Sequence, residues 1–499
     1  MKKFLLFVVL LALAAGATWY CAGRGTAPVI DIQSPTTAIG AAGRLELAID
    51  TPNGQLNRLT VSIEQQGVVM PVYVFPGEGA VQPSQAGPNR VTLVGTIGKQ
   101  QAPQLVAGKA TVIVSAERPV LFGYQHIRTT VRRDVEVRFE PPTVAALSTF
   151  QFINLGGSEM VVYRVSPADV DSGVRVGEYE YRGYPASGAG IPNADPGLRV
   201  AFFALLWDQD PAAPMALYAR DAVGNEAHAP FDYRVFPKVY KHSRIELDDR
   251  YLARVVPPIL QNSPELKVDN PSDLLGSFLR INNDLRRMNG EQIAALAQKS
   301  APQILWQGAF KQLVNTAVEG SFADQRTYVY KGQEVDHQTH LGFDLASIAM
   351  TPVVAANRGR VLHAGWLGIY GNCVIVDHGM GLQSLYAHLS SIQVKVGDEV
   401  QEGQQLGRSG ATGLAGGDHL HFTMLVGGHA VTPVDWWSAQ WVQDRILRKL
   451  GDAGAPASVT QIKAVSGPQA QTRTRAPGRN QGSSKSSSKS SSKGKSRRK

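Results

Sequence analysis

Apolar and polar positions alternate in short runs from residue 28 to about residue 140. Arg44-Leu-Glu-Leu-Ala-Ile-Asp50 and Arg58-Leu-Thr-Val-Ser-Ile-Glu64 are the clearest of them. A period of two places every second side chain on one face, the signature of a half-buried strand. Pro, Gly and Asn turn signals separate the runs, Thr111 to Ser115 and Thr129 to Phe139 continue them, and Glu140-Pro141-Pro142 marks a break. A second β block runs on to about Phe236 through Met160-Val-Val-Tyr-Arg164 and Val200-Ala-Phe-Phe-Ala-Leu-Leu206. From about Ser243 to Phe310 the period turns helical. Asn270-Pro271 opens a stretch with Leu274, Leu275, Phe278, Leu279, Leu285 and Met288 on one face, Asn289-Gly290 is expected to close it, and a second helix is expected from Glu291 to Lys299. Such a segment could lie against the cleft of whatever follows it. Residues 316–437 return to strands. Pro433 then leads into an amphipathic helix with Val442, Ile446 and Leu450 on one face and Gly451 as its stop.

Near the end of the second β block stands Ala216-Leu-Tyr-Ala-Arg-Asp-Ala-Val-Gly-Asn-Glu226. An alternating strand followed by Asp-x-x-Gly-Asn resembles the last hairpin of bacterial immunoglobulin-like modules, and short strands at this spacing suit a β-sandwich. The predicted fold class is therefore mainly β, with N-terminal β-sandwich-like (immunoglobulin-like) domains, a helical connector and a C-terminal antiparallel β domain. The expected boundaries are 1–27 for a membrane anchor or signal peptide, 28–140 and 141–240 for the two β domains, and 241–315 for the connector. Residues 316–437 form the third β domain, 438–454 the amphipathic helix, and 455–499 a disordered basic Ser/Lys-rich tail.

Composition changes this picture in two places. The chain has 499 residues and a formal net charge of +9, but eleven of its 50 Lys and Arg, and none of its 41 Asp and Glu, lie in 455–499. The body is thus close to neutral and offers no basic face for nucleic acid, so no nucleic-acid partner is expected. The tail suits weak contact with an anionic envelope polymer or lipid. The second place is the N-terminus, where Lys2-Lys3 precede the uncharged run Phe4 to Gly23. Twenty helical residues span roughly 30 Å, one hydrocarbon core. The leading charges place the rest of the chain outside the cytoplasm, in the cell envelope, anchored to the inner membrane if the segment is uncleaved. Ala15-Gly16-Ala17 also fits a signal-peptidase site. Cys21 and Cys373 are the only cysteines and are not expected to pair.

Histidine carries the chemistry. Eight of eleven copies fall between His337 and His429. His419 and His421 are two apart in a strand-like run and so share a face, while His340 and Asp344 flank Leu341-Gly342, where glycine allows a tight turn. Clustered imidazoles with one carboxylate, and no cysteine to close a structural site, point to a hydrolytic zinc site with an open position.

His340-x3-Asp344, Tyr386-Ala-His388-Leu-Ser and Gly417-Asp-His419-Leu-His421-Phe together resemble the signature of the lysostaphin-type zinc metallopeptidases. Thr351-Pro-Val-Val-Ala-Ala356, Tyr370-Gly-Asn372 and Asp377-His-Gly379 agree with it. The resemblance covers about 120 residues. It implies a lysostaphin-type β catalytic domain and one Zn2+ per chain, bound by His340, Asp344 and His421. It implies that His388 and His419 act on the attacking water and the developing oxyanion, and that the substrate is a peptide bond in peptidoglycan. Thr423 stands where many relatives have Glu, and Asp418 where Pro is frequent. His337 is an alternative ligand, and His363, His378 and His429 are read as packing or surface residues. The alternative function is a catalytically silent peptidoglycan-binding regulator, which usually lacks some of these ligands.

Overall fold

The computed structural model describes residues 2–52, 55–77 and 83–456. The expected tail at 455–499 therefore lies almost wholly outside the described residues. At the start, Lys2–Gly23 is one helix with no buried residue, and it is long and apolar enough to cross a membrane.

Two β-sandwiches follow. In the first, a four-stranded sheet faces a five-stranded one, whose centre is the long hairpin Gly108–Val120 and Gln125–Val137. The alternation in the sequence is realised directly. Leu45, Leu47 and Ile49 meet Leu59, Val61 and Ile63 between the sheets, and their polar neighbours face out. The second sandwich sets Thr143–Ala146, Gly157–Ser166, Leu198–Leu205 and Tyr184–Pro185 against Tyr179–Arg182, Asp171–Val176, Met215–Arg220 and Glu226–Pro230. The Asp-x-x-Gly-Asn turn behaves as its residue types require. Asp221 Oδ1 accepts from the amides of Val223 and Asn225, and Gly224 takes φ 88°.

Residues 241–315 differ from the expected helical connector. They open with a strand, His242–Leu247, which pairs in parallel with Asp324–Tyr330 and so joins the sheet that carries His340. Asp248 then caps the helix Asp249–Asn262 by accepting from the Tyr251 amide. The expected stop at Asn289-Gly290 is absent, because Leu274–Arg280, the π-turn Ile281–Leu285 and Arg286–Ala297 run on without a break. A tertiary bond overrides the local signal: Asn289 is fully buried and its side-chain oxygen accepts from the Ile369 amide at 3.0 Å, so it does not terminate the helix.

In the C-terminal domain the main sheet orders Ala317–Gly320, Phe343–Ala346, Leu420–Val426, Leu382–Leu389, Asn372–Gly379, Gly359–Trp366 and Glu399–Val400, all antiparallel. Leu382–Leu389 and Leu420–Val426 are buried along their whole length. This domain does not stand apart from the second sandwich, since one hydrophobic core runs through both. Trp436 is fully buried, packs on Phe202, Trp306 and Phe310, and donates its indole N–H to Ser158 Oγ at 3.0 Å. The last helical turns place Val442, Ile446 and Leu450 in that core, on the face their spacing predicts.

Lys449 from the same turns forms a buried ion pair with Glu159 at 2.8 Å, and Glu159 also accepts from the amides of Phe152 and Met160. Removing one partner strands the other charge in the interior, whereas replacing both by apolar groups does not. Lys449→Ala is expected to cost about 3–5 kcal/mol in denaturant unfolding, and Glu159→Leu with Lys449→Met much less. Equal losses in the single and double variants would contradict this.

Candidate metal centre

Register brings the first two ligand candidates together. Asp344 on Phe343–Ala346 lies directly opposite His421 on Leu420–Val426. Directly paired residues on adjacent strands hold their side chains about 5 Å apart, so a cross-strand carboxylate and imidazole meet without further help. His340 ends the preceding strand, Gln333–His340, and Leu341-Gly342 returns the chain into Phe343. A Cβ on Gly342 would stand 2.5 Å from His421 Cε1 and Nε2, so only glycine lets the turn pass this close to the imidazole.

The resulting geometry is tight. His340 Nε2 lies 2.8 Å from Asp344 Oδ1 and 3.0 Å from His421 Nδ1, and His421 Nδ1 lies 3.0 Å from Asp344 Oδ1. All three residues are buried. His340 donates its other ring N–H to the Ser321 carbonyl at 3.0 Å, which turns the Nε2 lone pair to the centre. Three electron-pair donors thus face one point, a set that a divalent cation satisfies and that hydrogen bonds alone do not. Burial would raise the Asp344 carboxyl, but the imidazoles of His340, His419 and His421 outweigh it and hold the group well below the usual carboxylate range. Burial pushes His421 down to about 4, so this ring is neutral and its lone pair is available. These residues fit a metal ion.

His388 and His419 stand beside this set, their rings 4.8 Å apart. His388 takes φ 61° at a bulge where Leu382–Leu389 slips register against Asn372–Gly379. A bulge re-aims a side chain, and left-handed backbone in a non-glycine residue persists only where the surroundings enforce it. The Nδ1–H of His388 donates to the Thr412 carbonyl at 2.8 Å, and that of His419 to the Gly417 carbonyl at 2.9 Å. Each Nε2 is thereby left to the cleft, and that of His419 lies 3.4 Å from Asp344 Oδ1. Burial, then the neighbouring His419 and His421, lower His388 well below its usual value. Burial also opposes protonation of His419, but Asp344 outweighs it and raises that ring.

The other histidines lie elsewhere. His337 contacts Thr327, His363 faces the Gly365 carbonyl, His378 is buried between the Arg358 carbonyl and Ser384, and His429 packs on Tyr179 and Tyr181. Thr423 ties its hydroxyl to the Leu341 carbonyl, in the turn behind His340. Asp418 accepts from the Met350 amide and from the Ser409 hydroxyl. Sequence reasoning missed Arg326, whose guanidinium meets Asp344 Oδ2 at 3.0 Å and holds the second carboxylate oxygen away from the centre. No motif marks it, because only the pairing of Asp324–Tyr330 with Gln333–His340 brings it there. A cleft of about 420 Å³ opens over these groups, with Tyr251, Arg286 and Tyr370 in its wall. The helical segment does lie against the site.

Residues 338–433 match the model of peptidase family M23. This part of the chain is an M23 domain. Over 95 residues the chain is 40% identical to the DD-carboxypeptidase/endopeptidase Mpg of Neisseria meningitidis, covering 19% of this chain and 22% of that protein. Over 86 residues it is 42% identical to the murein hydrolase activator EnvC of Escherichia coli, covering 17% and 20%. It is also similar to the catalytic domain of the antimicrobial peptidase lysostaphin from Staphylococcus simulans, at 31% identity over 25% of this chain and 92% of that one, with a TM-score of 0.22. The chain thus spans about a fifth of the length of these curated relatives.

A methyl group at position 342 tests the turn. Gly342→Ala is expected to displace the His421 ring and lower bound metal per chain by elemental analysis, with far-UV circular dichroism unchanged. Full metal content in that variant would show that the turn has slack which the geometry does not indicate.

Proposed function

We propose that this chain is a cell-envelope zinc metalloendopeptidase that hydrolyses peptide cross-links of peptidoglycan. The convergence of His340 Nε2, Asp344 Oδ1 and His421 Nδ1 beside two further imidazoles is the observation that carries the reading. When bound by these three residues, zinc supplies the positive charge that acidifies water and polarises a carbonyl. His388 and His419, with both Nδ1 positions engaged by backbone carbonyls, present Nε2 atoms that can take the proton of the attacking water and stabilise negative charge on the scissile carbonyl oxygen. Arg326 orients Asp344 and balances its charge. The N-terminal helix would anchor the protein at the inner membrane, or be removed as a signal peptide. The basic tail would add weak contact with an anionic envelope polymer or lipid.

The alternative, a silent regulator of other wall hydrolases, draws on the likeness to a protein named a murein hydrolase activator. The two readings part on chemistry. The wild type is expected to carry about one zinc per chain and to release soluble fragments from purified sacculi, and His421→Ala to lose both metal and activity. His388→Ala and His419→Ala are expected to keep the metal and lose activity about 10²–10⁴-fold. A wild type that is metal-free and inert on sacculi would sink the enzyme reading and favour the regulator.

A further inference from the structure

One wall of the cleft comes from outside the M23 domain. Leu247 ends the strand His242–Leu247, Tyr251 lies on the helix behind it, and Arg286 begins the helix Arg286–Ala297. Arg286 also lines an adjoining cavity of about 460 Å³ with Trp207, Asp208, His242 and Gln338, where Asp208 forms no ion pair with it, so it stands where two hollows meet.

Its own helix sets its direction. The π-turn Ile281–Leu285 precedes it, and such turns concentrate at functional positions because they push a side chain out of the regular α-helical spacing. The Nε–H of Arg286 donates to the Asn282 carbonyl at 3.0 Å and Nη2–H to Asn282 Oδ1, leaving Nη1 uncommitted. Asn282 is fully buried and fixed in turn by donating to Asp336 Oδ2 at 2.8 Å. The guanidinium is therefore pre-oriented before any ligand arrives.

Two guanidiniums share this cleft and differ in status. Arg326 is spent on Asp344, with Asp324 beside it. Among the described residues, no carboxylate lies within ion-pairing distance of Arg286. Glu246 in the same wall is engaged by Arg244 at 2.9 Å, and the field of Glu319 falls on His419. The charge of Arg286 is felt instead by Tyr251 and Tyr370, and the Tyr370 ring lies 5.8 Å from that of His421. A half-buried, unpaired, pre-oriented guanidinium beside a hydrolytic centre matches one chemical group above others, a planar carboxylate.

We propose that Arg286 is a specificity-determining residue that binds a free carboxylate carried by the substrate next to the scissile amide. The inference rests on the peptidase reading above and narrows its substrate. A cross-link through diaminopimelate has a carboxylate on the carbon that bears the acylated amine, whereas a bridge of glycines has no charge beside its internal amides. Arg286 selects the acidic cross-link.

The test uses the full chain, loaded with zinc, and two cross-linked peptides that differ only in whether that carboxylate is free or amidated. The wild type is expected to cleave the free acid with a kcat/KM about tenfold or more above the amide, chiefly through KM. Arg286→Gln is expected to erase that preference by losing only the free-acid substrate, at unchanged zinc content and melting temperature, and Arg286→Lys to restore part of it. A preference that survives in Arg286→Gln overturns the proposal. Equal loss on both peptides overturns it too, as does a gain on both, which would mark Arg286 as a latch on the cleft. If the wild type cleaves neither peptide, the peptidase reading fails. The subsite is then judged by equilibrium binding, where equal wild-type affinity for acid and amide overturns it.

Discussion

Three electron-pair donors held within about 3 Å of one another is an arrangement that a folded chain does not favour by itself. The imidazoles of His340 and His421 and the carboxylate of Asp344 each direct a lone pair at the same point, out of water. Desolvation disfavours adding a proton to the His421 ring, and a shared cation would relieve the repulsion among the three donors. Much of the C-terminal domain serves to hold these groups in place. Cross-strand register fixes Asp344 against His421, a glycine turn brings His340 in, the Ser321 carbonyl fixes the His340 tautomer, and Arg326 holds the spare carboxylate oxygen.

The same economy governs the second pair of histidines. A strand bulge with left-handed backbone at His388 is costly, on the order of 1–3 kcal/mol, and is kept by bonds from Thr412 and Asn372 around it. In return the ring turns into the cleft instead of lying along the sheet. The rigid sheet supplies position, and the irregular backbone at the end of this central strand supplies direction.

The surroundings of the candidate site are not confined to the M23 domain. The core that stabilises it is continuous with the second sandwich, through Trp436 and the Lys449–Glu159 pair. The cleft is walled by a strand and helices that precede the domain in sequence. Residues 338–433 alone would lack Trp436, on which Phe202, Trp306 and Phe310 pack, and would bare His378, which Phe310 now covers. The helical segment therefore forms part of the wall of the cleft that holds the candidate metal ligands.

The β periodicity, the terminal apolar helix and the histidine spacings were legible in the chain, because a period of two and an i, i+2 pair are local properties that survive any tertiary context. Gly342 was legible for the same reason. The helix stop at Asn289-Gly290 misled, since a buried bond from Asn289 to the Ile369 amide outweighs a weak local preference. The strand His242–Leu247 was hidden because its partners lie some eighty residues on. Arg326 and Arg286 carry no motif, and an arginine gains its role only from what stands opposite it. Sequence alone determined which groups could do the chemistry. Tertiary structure decided which of them meet, and which arginine pairs with Asp344 and which does not, because pairing across strands and the exclusion of water are set only when distant segments close on one another.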